Sequence, residues 1–389
     1  MAEIYQQALS QFGYTQSLRR DLHRHPELGF HEVRTSGIVA HELNQLGLEV
    51  ATGVAETGVV ALLRGEHPGP VLLMRFDMDA LPIQEETGQP FASENPGVMH
   101  ACGHDGHVAI GLTTARLLRE RRDQIHGTVK FVFQPAEEGL GGAERMLAEG
   151  VLDDPAVDYT LAMHLWNERP TGWVGAPAGA LMAGADIFKV RIEGHGGHGA
   201  LPQETADPVV ATAQIISALQ TVVSRNISPL EPAVISVCQL HAGNAFNVIP
   251  QAAEFSGTFR TFSPESREIV IERFKEIVDG IARSMGCTAS VDIQRLTPAV
   301  INEPQIAERV QKAAANIPMV KIENGYHTMI SEDMAYMMER VPGCYVLIGS
   351  ARSGEAVHYG HHSPKFDFDE AALTNAVAVM TSAALELLK

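Results

Sequence analysis

The chain has 389 residues, 45% of them hydrophobic, and a formal net charge of −18. That length exceeds one average domain and is ample for a large buried core, so two domains are expected. The negative charge argues against nucleic acids and anionic membranes as partners, while leaving room for a local cationic pocket. Four cysteines (Cys102, Cys238, Cys287 and Cys344) at irregular spacings form no disulfide framework in a chain this size. Cys238 and Cys344 lie within apolar runs and Cys287 heads one, which predicts buried thiols in a reducing compartment. The N-terminal stretch lacks a basic segment leading into an apolar core, and no run is long enough to span a bilayer. A cytoplasmic location is the expectation.

In chain order, residues 3–24 read as an amphipathic helix stopped by Pro26, and 33–45 as a second helix ending at Gly47. Apolar runs at 58–63 and 71–76 precede a helix over 108–122, a strand over 128–133, a short helix near 142–149 and a strand over 159–163. This alternation predicts an α/β layered domain with a mainly parallel sheet. From about 185 the pattern changes. Strand 187–192, helix 207–223, strands 233–241 and 254–262, helix 264–285 and strand 287–293 spell β-α-β-β-α-β, the ferredoxin-like unit. Helices 304–315 and 331–340, strand 344–349 and a closing helix over 369–388 then resume the first style. The expected fold is therefore an α/β catalytic domain (1–184 and 296–389) interrupted by an inserted ferredoxin-like α+β domain (185–295).

Chemistry gathers where the predicted strands end. Strand 71–76 runs into Asp77 and Asp79, strand 128–133 into Glu137 and Glu138, and strand 159–163 into His164. In open α/β sheets, sites lie beyond the carboxyl ends of the strands, so these residues are expected to converge. The segment 99–107, MHACGHDGH, adds a thiol and three imidazoles. If it is extended, Cys102 and His104 point the same way. Thiolate and imidazole suit zinc-like divalent ions, and with carboxylates and a later histidine they suit a two-metal hydrolytic site. Asp77 and Asp79 alternate, so one can bind while the other orients a ligand. Glu137 and Glu138 lie between Pro135 and Gly139, where a loop lets both reach one site. Spacing does not tell their roles apart.

Several blocks together resemble one family. They are RFDMDALPIQEETGQPFASENPGVMHACGHDGH at 75–107, HPELGF at 25–30, QPAEEG at 134–139, GGHGALP at 196–202, NVIP at 247–250, SED at 331–333 and HHSPKFDFDE at 361–370. Their order and length resemble M20-type metallopeptidases, in the amidohydrolase branch that cleaves N-acyl amino acids, such as hippurate and indole-acetyl-amino-acid hydrolases. The resemblance implies two divalent ions per subunit (zinc, manganese, nickel or cobalt) held by Cys102, His104, Glu138, His164 and His362, with Cys102 as a bridging thiolate. It implies Glu137 as the general base and Asn247 and Arg260 as substrate contacts, and Asp77 and Asp79 are placed behind the ligands as supports. It also implies a homodimer through the inserted domain, with His198 reaching the partner's site to steady the oxyanion. Phe76 stands where relatives usually have a small residue and Gln203 where they often have a histidine, which puts packing and substrate preference in question.

The loop Gly194-His195-Gly196-Gly197-His198-Gly199 satisfies G-x-G-x-x-G after a strand. A dinucleotide fingerprint needs a helix at once and an acidic residue ~20 positions on. Pro202 delays the helix and 214–225 holds no acid, so a nucleotide role is rejected. His23, His25, His31, His100 and His107 are assigned to support. The expected activity is metal-dependent hydrolysis of the amide bond of a small N-acyl amino acid. A dipeptidase or carboxypeptidase on the same metal site is the alternative.

Overall fold

The computed structural model describes residues 2–352 and 359–389. The chain divides into two units, one of Met1–Leu181, Ile301–Tyr326 and Asp333–Lys389, the other of Met182–Val300 and His327–Glu332. In order, the elements begin with α1 (Ala2–Ser10), α2 (Phe12–Arg24), α3 (Val33–Gln45), β1 (Glu49–Val54), β2 (Gly58–Arg64) and β3 (His67–Asp77). There follow α4 (His104–Arg119), β4 (His126–Gln134), α5 (Gly142–Ala148), β5 (Tyr159–Pro170), β6 (Trp173–Gly175) and β7 (Gly179–Met182). The second unit carries β8 (Gly184–Glu193), β9 (Gly197–His198), α6 (Pro208–Asn226), β10 (Ala233–Ala242), β11 (Val248–Ile249), β12 (Ala252–Thr261), α7 (Pro264–Ser284) and β13 (Thr288–Thr297). The chain closes with β14 (Val300–Asn302), α8 (Pro304–Ala314), β15 (Lys321–Ile322), α9 (Ala335–Arg340), β16 (Gly343–Ala351) and α10 (Ala371–Leu387).

The first unit is built on an eight-stranded sheet in the order β1-β2-β4-β3-β5-β16-β6-β15. Its centre, β4-β3-β5-β16, is parallel. These strands are buried along most of their length, which is why they read as continuous apolar runs. Helix α4 packs against α10 and α2, and every residue of α4 except Arg116 and Arg119 is buried. The second unit has the order β10-β12-β8-β13, all antiparallel, with α6 and α7 packed together and against the sheet. Its core includes the stacked rings of Phe188 and Phe259, with Phe274 over them. Its long helices start as their sequences suggest: Asp207 caps α6 ahead of Pro208, and Ser263 caps α7 ahead of Pro264. Among the described residues, no helix is long and apolar enough to cross a membrane.

The fold class is as expected; several details are not. The first predicted helix is broken at Gln11 into α1 and α2. Strand β1 was not anticipated, because its mostly exposed residues give no alternation. Helix α4 starts at His104 instead of 108, and α9 at Ala335 instead of 331. Cys238 is exposed, against expectation, while Cys287 and Cys344 are buried. The β10–β12 register slips between Val237 and Gln239, so Cys238 is the extra residue of a bulge. Phe76 is fully buried and stacks on Phe133, in space left by Gly111 of α4.

Candidate metal centre

Parallel register sets the strand ends level. Asp77 pairs with Gln134, and Arg75 pairs with Ala162, which brings Asp77 and His164 to the same height two residues on. The segment 78–103 crosses from β3 to α4. Cys102 and His104 do not lie on an extended stretch, as their spacing had suggested. Gly103 turns with φ +93° and His104 opens α4, so a left-handed glycine, not strand alternation, brings the two side chains together.

Two sets of donors share the thiol. One ligand atom each from Cys102, His104 and His164 lies within 4.8 Å of the others, and the same is true of Cys102, Glu138 and His362. His104, Glu137 and Glu138 make a third such group. Cys102 Sγ is 3.4 Å from His164 Nε2, and His362 Nε2 is 3.3 Å from Glu138 Oε1. The structure thus brings together all five expected ligands and Glu137.

The imidazoles are aimed from behind. His104 Nδ1 contacts the Asp79 carbonyl at 2.9 Å and His164 Nδ1 the Leu165 carbonyl at 2.7 Å. Carbonyls only accept, so both Nδ1 atoms donate there and both Nε2 atoms face the site. His104 Nε2 is buried without a hydrogen-bond partner. Burial lowers the His104 imidazole, but Asp77, Asp79 and Glu138 outweigh it and raise its pKa to about 10. Burial, reinforced by Glu138, Glu137 and Asp77, pushes the Cys102 thiol well up. The His104 shift expresses a buried excess of negative charge that a divalent cation would neutralise. The orphaned Nε2, the soft thiol and the carboxylates fit ions of the zinc class.

Around the ligands runs a buried ion network. Arg75, fully buried on β3, donates to Asp77 Oδ2 at 2.6 Å, to Asp333 Oδ1 at 2.9 Å and to Gln134 Oε1 at 2.9 Å. Asp77 Oδ1 is 2.5 Å from His107 Nδ1, whose Nε2 accepts the Leu165 backbone N–H at 2.9 Å. Asp77, His104 and His107 also lie close enough to resemble a ligand set, but both nitrogens of His107 are engaged in these bonds. Asp79 Oδ2 accepts the Glu138 N–H at 3.0 Å, tying the β3 end to the glutamate loop. Arg75, Gln134 and Asp333 had no assigned role. The signal available was a cation inside the apolar run 71–76, which needs buried counter-charges.

His361 is excluded as a ligand through Nε2, which accepts the Asn167 N–H at 3.1 Å, and burial beside His107 and His362 lowers its pKa to about 3. Of the other supports, His23 contacts Asp105 at 2.8 Å and Glu85 at 3.3 Å, and His31 contacts the Gly29 carbonyl at 3.0 Å. His25 lies 4.0 Å from Asp21 and Glu94. His100 is buried with neither ring nitrogen hydrogen-bonded.

In the second unit, His198 is exposed on β9 and paired with Val248, and the Asn247 carbonyl accepts the Gly199 N–H at 2.8 Å. Arg260 lies on β12, half-buried, with its guanidinium on the Phe259 carbonyl and the Thr258 hydroxyl. No α-helix opens at the glycine loop; a single 3-10 turn at Pro202–Glu204 follows it, and α6 begins only at Pro208. The nucleotide reading is therefore closed on geometry as well.

Residues 73–386 match the family described as Peptidase family M20/M25/M40. Over 367 residues the chain is 42% identical to the N-acetylcysteine deacetylase of Bacillus subtilis, covering 92% of this chain and 93% of that protein. It is 39% identical over 360 residues to thermostable carboxypeptidase 1 of Saccharolobus solfataricus, covering 92% and 91%. The crystal structure of the Bacillus subtilis YXEP protein, described as a dinuclear metal binding peptidase from the M20 family, superposes with a TM-score of 0.86. That match is 38% identical and covers 97% of this chain and 99% of the other. With a donor cluster of this composition at the strand ends and these relatives along its length, the chain belongs to peptidase family M20/M25/M40 and is a metal-dependent hydrolase.

Proposed function

We propose that the chain hydrolyses the amide bond of N-acyl amino acids, releasing a carboxylic acid and a free amino acid, with two divalent ions per subunit. The observation that carries this reading is the pair of donor triads sharing Cys102, with an oxygen of Glu137 close beside His104 and Glu138. Cys102, His104 and His164 would hold one ion, and Cys102, Glu138 and His362 the other. When bound, the ions polarise the amide carbonyl, acidify the attacking water and offset the oxyanion's charge.

The chain's own groups do the rest. Glu137 takes the proton of the attacking water and hands it to the amine nitrogen of the departing amino acid. Asp79 holds the His104 ring by its carbonyl and the Glu138 backbone by its carboxylate. Arg260 offers a fork that suits the substrate carboxylate, with Asn247 as a second contact. His198 steadies the developing oxyanion in the site of a second copy of the chain. A homodimer through the 185–295 region is part of this reading. The exposed hairpin supports it: Phe246 is fully exposed at 103% and Val248 at 53%.

One relative is named an N-acetylcysteine deacetylase and another a carboxypeptidase, so both substrate classes belong in one test. Chelated protein reloaded with zinc, manganese, nickel or cobalt is assayed on N-acetyl, benzoyl and indole-acetyl amino acids, free dipeptides and longer peptides. Turnover of the acyl amino acids at the highest kcat/KM upholds the proposal. Preference for free dipeptides or for C-terminal release from peptides replaces it with the peptidase reading.

A further inference from the structure

The segment 27–32, which starts inside the HPELGF block at 25–30, has no role in the chemistry above, yet it is bonded to two of the three strand ends that supply the site. The Glu27 carbonyl accepts the Ala80 N–H at 2.8 Å, beside Asp79. A Cβ on Gly29 would come within 3.0 Å of the Ala136 Cα and Cβ, so the backbone lies flat against the residue preceding Glu137. Glu32 then turns its carboxylate inward at zero exposure. Its Oε1 accepts the Ala136 N–H at 2.9 Å, and its Oε2 accepts the Thr57 hydroxyl at 2.5 Å.

Ala136 is an unusual residue to grip. It is not glycine, yet its φ is +55°, in the left-handed region that an L side chain occupies at a cost of about 1 kcal/mol or more. Such a conformation persists only where its surroundings over-determine it. Here the N–H is held by Glu32, and the C=O accepts the Gly142 N–H at 3.1 Å. The turn at Ala136 sets the direction in which Glu137 and Glu138 leave β4. Among the described residues no cation pairs with Glu32, and burial with Asp79 nearby raises its carboxyl to about 7 even against its hydrogen bonds. Its oxygens stand where the Ala136 N–H and the Thr57 hydroxyl find their acceptors.

We propose that Glu32 is a positioning residue of the hydrolytic reaction: by gripping the Ala136 N–H it aims Glu137 at the attacking water and Glu138 at the metal. This rests on the reading of Glu137 as proton carrier and Glu138 as ligand, so Glu137→Gln is run in the same series. A Glu137→Gln enzyme that keeps its activity sinks that reading; an inert one leaves the Glu32 comparison to stand or fall by itself.

The variants separate geometry from charge. Glu32→Gln can keep both contacts, Oε1 accepting from Ala136 and Nε2–H donating to Thr57, and is expected to hold kcat within about 3-fold of wild type. Glu32→Ala leaves the Ala136 N–H buried and unpaired, and Glu32→Asp is one methylene too short to reach both partners. Both are expected to lose about 10–100-fold in kcat with KM moved less than about 2-fold. Calorimetric titration of chelated protein with zinc gives a second readout: weaker affinity in one of two sites for the Ala and Asp variants, and wild-type affinity for Gln. Circular dichroism shows whether each variant is folded; if the Ala variant is not, the Gln and Asp variants decide. Full activity and zinc affinity in Glu32→Asp, or a Gln variant as impaired as Asp, would overturn the proposal.

Discussion

Glu137 and Glu138 are the same residue type at adjacent positions, and under the proposed function only their surroundings give them different work. Glu138 is held by its backbone N–H on Asp79 and lies 3.3 Å from His362, while Glu137 is grouped with His104 and Glu138. Glu137→Gln should therefore cut kcat by at least about 10²–10⁴-fold, the usual share of a general base, while zinc content stays at two ions per chain. Activity assays and atomic absorption on the same preparation check it; retained turnover removes Glu137 from the mechanism. His107 gives a second prediction. Removing its ring leaves Asp77 Oδ1 and the Leu165 N–H short of a partner in the interior, so His107→Ala should destabilise by about 2–4 kcal/mol in urea and weaken metal binding about 10–100-fold. At this scale the sequence exposed the donors, because thiol, imidazole and carboxylate at strand ends have few other uses. It did not show what Asp333 does, since that depends on contacts with residues far along the chain. Asp333 meets Arg75, Gln134 and the Ala143 N–H across more than 180 positions of sequence.

Elements were legible in proportion to how cleanly burial was patterned. The central strands stood out because both faces are covered, and α7 because Ser263 and Pro264 mark its start. Helix α4 was misplaced at its start because a helix buried nearly all round has no polar face to fix its phase. The true start depends on Gly103 in the left-handed region, which the Cys-Gly-His spacing permits without requiring. The same helix explains how Phe76 fits. A Cβ on Gly111 would approach Phe76 Cδ2 to 2.7 Å and Phe133 Cε1 to 2.9 Å. Helix propensity alone would favour Gly111→Ala by about 1 kcal/mol, and overpacking against two rings opposes it by about 1–3 kcal/mol. The variant should come out destabilised, with a lower urea midpoint, and Phe76→Leu should recover part of the loss in the double variant. An unchanged or raised midpoint in Gly111→Ala would mean that α4 shifts to make room.

At the scale of the whole molecule, the change from alternating strands and helices to the β-α-β-β-α-β run, and back, marked out the second unit because each unit buries its own core. The proposed function has His198 serve a second copy of the chain, and composition and periodicity do not carry this, since His198 and the donor set lie in different units. Mixing two inactive chains answers this. One carries Glu137→Gln and keeps His198; the other carries His198→Ala and keeps Glu137. If His198 serves its own chain, every site in the mixture lacks one group, and activity stays at the sum of the two parents. If it serves a second copy in a two-fold dimer, half of the dimers formed by random exchange are mixed, and each of those has one site with both groups. Activity then rises to about a quarter of that of an equal amount of wild type, after unfolding and refolding the chains together. The rise should vanish when the parents are mixed without exchange of subunits, and light scattering on the wild-type protein should give twice the 42.0 kDa chain mass. No rise above the parents under full exchange would confine His198 to its own chain.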